Sequence, residues 1–73
     1  MTVDVQGKTG RWGTAVDNER EAMRYVLAGG PWELARIYTD ANELVGTLRI
    51  VKRGKRWYID YIKSGMVKWS KTI

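Results

Sequence analysis

The sequence predicts an α+β domain in which one N-terminal helix packs on a four-stranded antiparallel β-meander, with room for a short extra strand at the N-terminus. Three observations predict it. A helix-period apolar stripe runs through VDNEREAMRYVLAGG, residues 16–30. From Pro31 onward the apolar period changes to two. Turn residues at Asp40-Ala41-Asn42, Arg53-Gly54 and Lys63-Ser64-Gly65 then cut the remainder into four runs of strand length.

The first element is the weakest. Val3 and Val5 alternate with polar residues, which suits a short strand. QGKTGRWG follows, with three glycines in eight residues, and reads as a connection with Trp12 as its anchor on the core. Residues 1–16 are therefore expected to form a loose strand and loop. Gly7-Lys8-Thr9 matches the end of a phosphate-binding loop, but position 2, where that motif needs its first glycine, is Thr. Gly10 and Gly13 also oppose the helix that must follow, so no nucleotide site is assigned.

The helix has clear ends. Asp17 or Asn18 can cap it, and Asn18 with Glu21 has capping-box spacing. Glu19 and Glu21 fall in the first turn, where the helix dipole favours acidic groups. Ala22, Met23, Val26 and Leu27 form the buried stripe, Gly29 and Gly30 supply a left-handed C-cap, and Pro31 stops the helix.

WELARIYT, residues 32–39, is the first strand of the meander and LVGTLRIVK, residues 44–52, the second. The register between them stays open, because Trp32, Leu34 and Tyr38 reach the core face only with an odd-length loop. A two-residue turn at Arg53-Gly54 pairs Ile50 with Trp57, Leu48 with Ile59 and Gly46 with Tyr61. A three-residue turn with a bulge at Lys63-Ser64-Gly65 pairs Tyr61 with Val67 and Ile59 with Trp69, and sets Asp60 against Lys68. The expected core face is then Leu44, Leu48, Ile50, Trp57, Ile59, Tyr61, Val67 and Trp69 beneath the helix.

Two local resemblances bear on this reading. Gly54-Lys55-Arg56-Trp57-Tyr58-Ile59-Asp60-Tyr61-Ile62 resembles the closing hairpin of NTF2-like and cystatin-like domains, where a strand leads into G-K-x-W and alternating apolar residues. The resemblance covers the last third of the chain and implies a cystatin-like sheet-on-helix shape, without that family's pocket. Lys52-Arg53-Gly54-Lys55-Arg56-Trp57 resembles the sheet hairpin in the arm-binding domains of phage-type integrases, which reads the DNA major groove. In those domains the helix follows the sheet; here it precedes it.

Composition narrows function further. The 73 residues make one small basic domain, spanning 1–73, with a net charge of +5. The charge is uneven. Residues 1–45 carry five Lys/Arg against seven Asp/Glu, net −2, and residues 46–73 carry eight Lys/Arg against Asp60 alone, net +7. There is no Cys and no His, which leaves no disulfide and no thiolate or imidazole zinc site, so no cofactor is expected. The same absence removes the usual bases and nucleophiles, and Ser64 and Ser70 have no partner base, so no enzymatic activity is expected. No apolar run is long enough to cross a membrane and no signal region opens the chain, so a cytoplasmic protein without membrane attachment is expected.

What remains is binding. Arg49, Arg56, Lys68 and Tyr58 are expected on the open sheet face, with Lys52, Arg53 and Lys55 at the hairpin tip. A basic two-stranded ribbon can enter a DNA groove, and a tyrosine beside an arginine can stack an unpaired base. Tyr and Arg equally suit a protein interface, so the alternative partner is an acidic protein surface, as for a small inhibitor or adaptor docked on a larger protein. An Arg53→Glu/Lys55→Glu variant is expected to fold and lose the partner. Lys and Arg at turn tips also serve solubility and edge protection alone.

Overall fold

Residues 1–16 are not loose. In the computed structural model, which describes residues 1–73, they form a β-hairpin of β1 (Thr2–Gly7) and β2 (Gly10–Ala15) closed by a turn at Lys8-Thr9. The helix α1 (Glu19–Ala28) follows, then β3 (Leu34–Tyr38), β4 (Leu44–Arg53), β5 (Arg56–Lys63) and β6 (Met66–Thr72). All six strands join one antiparallel sheet in the order β2-β1-β3-β4-β5-β6. The expected four-stranded meander is thus corrected to six strands, and the sheet outweighs the helix. The missed strand is β2, in which Trp12 alone packs against the core, as expected of it, so the strand shows no apolar alternation. Its backbone pairing with β1 holds it in place.

This insertion moves the core. The chain leaves β2, crosses β1 as α1, and returns as β3 on the other side of β1. The helix therefore packs on β1 and β3. Val3, Val5, Ala35 and Ile37 point up to it from those strands, and Ala22 and Val26 point down; all are buried. Trp32, just before β3, closes the cluster, and Leu48 and Tyr61 extend it. Ala35 and Ile37, not Leu34 and Tyr38, take the core face of β3, and Trp32 reaches the core from outside the strand, which starts at Leu34.

Asn18 caps the helix, its side chain accepting from the Glu21 N–H at 2.9 Å. The C-terminal expectation fails: Gly29 is extended (φ −75°, ψ 172°) and no left-handed glycine ends the helix. Leu27 also lies outside the buried stripe, at 42% exposure.

Both remaining turns are shifted from expectation. The β4–β5 turn is Gly54-Lys55, so Ile50 faces Ile59, Leu48 faces Tyr61 and Lys52 faces Trp57. Gly54 has φ 63° and leads the turn, the arrangement of a II′ hairpin. The shift is two residues on one strand, so each side chain keeps its face. The β5–β6 turn is the two-residue Ser64-Gly65, with φ of 54° and 75°, and the bulge sits one pair farther in, between Tyr61–Trp69 and Ile62–Val67. That bulge places Trp69 on the helix side and Val67 on the open side, correcting the expected core position of Val67.

Candidate functional site

The basic hairpin outruns the sheet. Strand β3 accompanies β4 only to the Leu34–Arg49 pair and one further bond, Ile50 N–H to the Glu33 carbonyl at 3.2 Å. Val51–Arg53 have no neighbour on that side, so the tip projects by three residues, about 10 Å. On the other side β6 follows β5 to Tyr58–Thr72, and the Ile73 N–H donates to the Trp57 carbonyl at 3.0 Å.

The register distributes the expected site residues over two faces. Arg49, Arg53, Arg56 and Tyr58 lie on the open face with Asp60 and Ser70. Lys52 lies on the helix side, its Nζ 5.8 Å from the centre of the Trp57 ring. Lys55 is at the tip. Lys68 falls in the β6 bulge, near Tyr61 and Ile62 and toward the other end of β5, so the fold does not bring it to the hairpin tip.

Asp60 is the surprise of the open face. It is fully buried, and its cross-strand partner is Ser70, not Lys68. Ser70 Oγ donates to Asp60 Oδ1 at 2.6 Å. Arg53 closes over the carboxylate with both Nη atoms, Nη1 donating to Oδ1 at 3.1 Å and Nη2 to Oδ2. The same guanidinium lies 5.3 Å above the Tyr58 ring. These donors, Arg53 foremost and Ser70 next, hold the Asp60 carboxyl below its ordinary value against the effect of burial. Arg53 is thereby a structural clamp. A glutamate there would face Asp60 as a like charge, so Arg53→Glu/Lys55→Glu is expected to destabilise the fold and cannot report on binding alone.

The free cations are elsewhere. Of the side chains, only Arg11, Arg53 and Lys63 make ion pairs, to Asp4, Asp60 and Glu19. Arg49, Lys52, Lys55, Arg56, Lys68 and Lys71 make none. Of these six, all but Lys68 belong to the hairpin end of the sheet, with Lys71 opposite Ile59 on the helix side; Lys8 in the β1–β2 turn, Arg20 and Arg24 on the helix and Arg36 on β3 also make no ion pair.

Exposed apolar groups accompany them. Trp57, expected in the core, is 50% exposed, and Ile73 beside it is 65% exposed. Met66 and Val67 are exposed at the other end of β6. Trp57 and Lys71 are the residues that sequence reasoning missed for this surface. The available signal was position: Trp57 lies one residue past Arg56 at the hairpin tip, far from the strands β1 and β3 on which the helix packs.

One cleft of about 500 Å³ opens between the β1–β2 turn and the α1–β3 loop, lined by Trp12, Trp32, Pro31, Lys8 and Glu33 among others. No group of three or more Asp, Glu, His or Cys side chains is placed to hold a metal ion. No helix is long and apolar enough to cross a membrane.

Comparisons with known protein families, with curated proteins and with solved structures returned no match to this chain. The two local resemblances therefore rest on the residues that carry them.

Proposed function

We propose that the protein is a small nucleic-acid-binding module that makes contact through the projecting end of the β4–β5 hairpin. The observation that carries this reading is the grouping of Lys52, Lys55, Arg56 and Lys71, none of them in an ion pair, at one end of the sheet, with Arg49 next to them opposite Asp60. Neutral folds do not gather uncompensated charge without cost, and a polyanion neutralises it with release of its own counterions. DNA and RNA both satisfy this chemistry, and the cytoplasm is the expected place of action.

The second reading, an acidic protein partner met by an inhibitor or adaptor, is favoured by the exposed apolar residues Trp57, Met66, Val67 and Ile73. The test is a fluorescence anisotropy titration with labelled DNA and RNA, against a Lys52→Glu/Lys55→Glu variant. Both lysines are exposed and unpaired, so the variant keeps its fold. The nucleic-acid reading expects binding that persists at physiological salt and is lost in the variant. Binding that is unchanged in the variant removes the hairpin as the site.

A further inference from the structure

The helix covers only part of its side of the sheet. Six strands span about 24 Å, and a helix with its side chains is about 10–12 Å across. With α1 seated on β1 and β3, the helix-side face of β4–β6 toward the hairpin tip lies outside its footprint. Ile50 and Ile59 are half-buried there and Trp57 and Ile73 exposed, with Lys52 and Lys71 at the margins. Strands β4–β6 contribute no carboxylate to this face, since Asp60 lies on the other. The acidic residues that border it are Glu33, next to Ile50, and Glu19, already bound to Tyr61 and Lys63.

The two aromatics of the hairpin end differ in availability. Tyr58, on the open face, is capped by the Arg53 guanidinium that clamps Asp60. Trp57 is half-exposed, and the Lys52 ammonium that lies over its ring is anchored by no carboxylate, unlike the Arg53 guanidinium. The surface is also without a pocket, because the one cleft of the molecule lies between the β1–β2 turn and the α1–β3 loop. A protein segment anchors by filling pockets. A nucleobase needs only a plane to stack on and a cation near its phosphate. In a duplex the base planes are covered by their neighbours.

We propose that the ligand of this site is a single-stranded nucleic acid, laid on the uncovered helix-side face with a base stacked on Trp57 and phosphates on Lys52 and Lys71. This deepens the nucleic-acid reading above and rests on it. An acidic protein segment is the competing occupant.

The test uses the full chain, labelled oligo(dT) of about 20 nucleotides, and a duplex of the same length. Wild type is compared with Trp57→Leu and Trp57→Tyr, each checked by thermal melting. The single strand is expected to bind at least about tenfold tighter than the duplex. Trp57→Leu is expected to weaken single-strand binding about tenfold and leave duplex binding unchanged, while Trp57→Tyr keeps most of the affinity. Duplex binding as tight as single-strand binding, or Trp57→Leu without effect, overturns the stacking proposal; loss of that binding in Lys52→Glu/Lys55→Glu then leaves the hairpin reading standing. No binding of either oligonucleotide at physiological salt overturns both, and an acidic protein segment becomes the occupant to seek.

Discussion

At the scale of single residues, two part-buried polar contacts join distant parts of the chain. Asp60 ties β5 to Ser70 on β6 and to Arg53 near the tip of β4. Tyr61 Oη donates to Glu19, and Lys63 Nζ donates to the same carboxylate at 3.1 Å, which ties β5 to the start of the helix. Asp60 is held below its ordinary pKa by Arg53 and Ser70, and Glu19 by the Tyr61 bond and then Lys63. A carboxyl depressed in the folded state stabilises above its unfolded pKa and loses that contribution as pH falls through its folded value. The Tm should therefore hold from neutral pH down to the ordinary carboxylate range, about pH 4, and fall below it. Asp60→Asn should cost about 1–3 kcal/mol at pH 7 and flatten that acid branch, as read by thermal melts across pH. At the alkaline end, burial and then the Glu19 bond raise the Tyr61 pKa above the ordinary 10.0, so stability should fall as pH rises above that value. Gly46 belongs to the same contact. The Tyr61 ring lies over it, and a Cβ there would collide with the ring. Gly46→Ala should destabilise by about 1–3 kcal/mol in chemical denaturation, and an unchanged midpoint would show that Tyr61 moves aside freely.

At the scale of elements, hairpin geometry separates what sequence shows from what it hides. Ser64 occupies a left-handed position (φ 54°) ahead of Gly65, which is the I′ arrangement that Asn-Gly fits best. Ser64→Asn should raise stability by about 0.5 kcal/mol or more, measured as a denaturant midpoint. A lower midpoint would mean that the turn is not the two-residue form. The helix was legible because capping and burial leave residue-type marks: Asn18, Ala22 and Val26 act as their spacing predicts, although the Glu21 side chain makes no return bond to complete a capping box. The faces of β5 and of β4 from Gly46 onward were legible because period-two alternation survives a two-residue slip, but at the β3–β4 bulge Leu44, expected in the core, is exposed and Val45 packs against the core instead. Strand β2 was hidden because an edge strand anchored by the single side chain of Trp12 needs no apolar alternation. Once β2 is missed, the helix has nowhere to sit except over the C-terminal strands, and Trp57 is assigned to the core. The basic end of the site was legible from charge alone. The role of Arg53 was not, because its partner Asp60 lies seven residues away across the turn and is reached only by a side chain that folds back.

At the scale of the molecule, the architecture is two layers thick over half its area and one layer over the rest. The extents of 38 × 28 × 16 Å fit a sheet with a single helix on it. The same half that lacks a helix carries the excess of positive charge, so apolar exposure and cationic charge coincide on one end. That coincidence sets a quantitative expectation for binding. A single strand releases about 0.7 counterion per phosphate contacted, so contacts from Lys52, Lys55 and Lys71 should give a slope of log affinity against log salt of about −2. Lys52→Glu/Lys55→Glu removes two of those contacts, so its slope should be shallower by about 1.4. Anisotropy titrations between about 50 and 200 mM salt measure both slopes. Trp57→Leu should lower the affinity and keep the slope, because stacking releases no counterions. A slope that is the same in the double-glutamate variant as in wild type would place the phosphates away from the hairpin. Equal slopes in Trp57→Leu and wild type, with affinities about tenfold apart, would separate the aromatic contribution from the ionic one within a single data set.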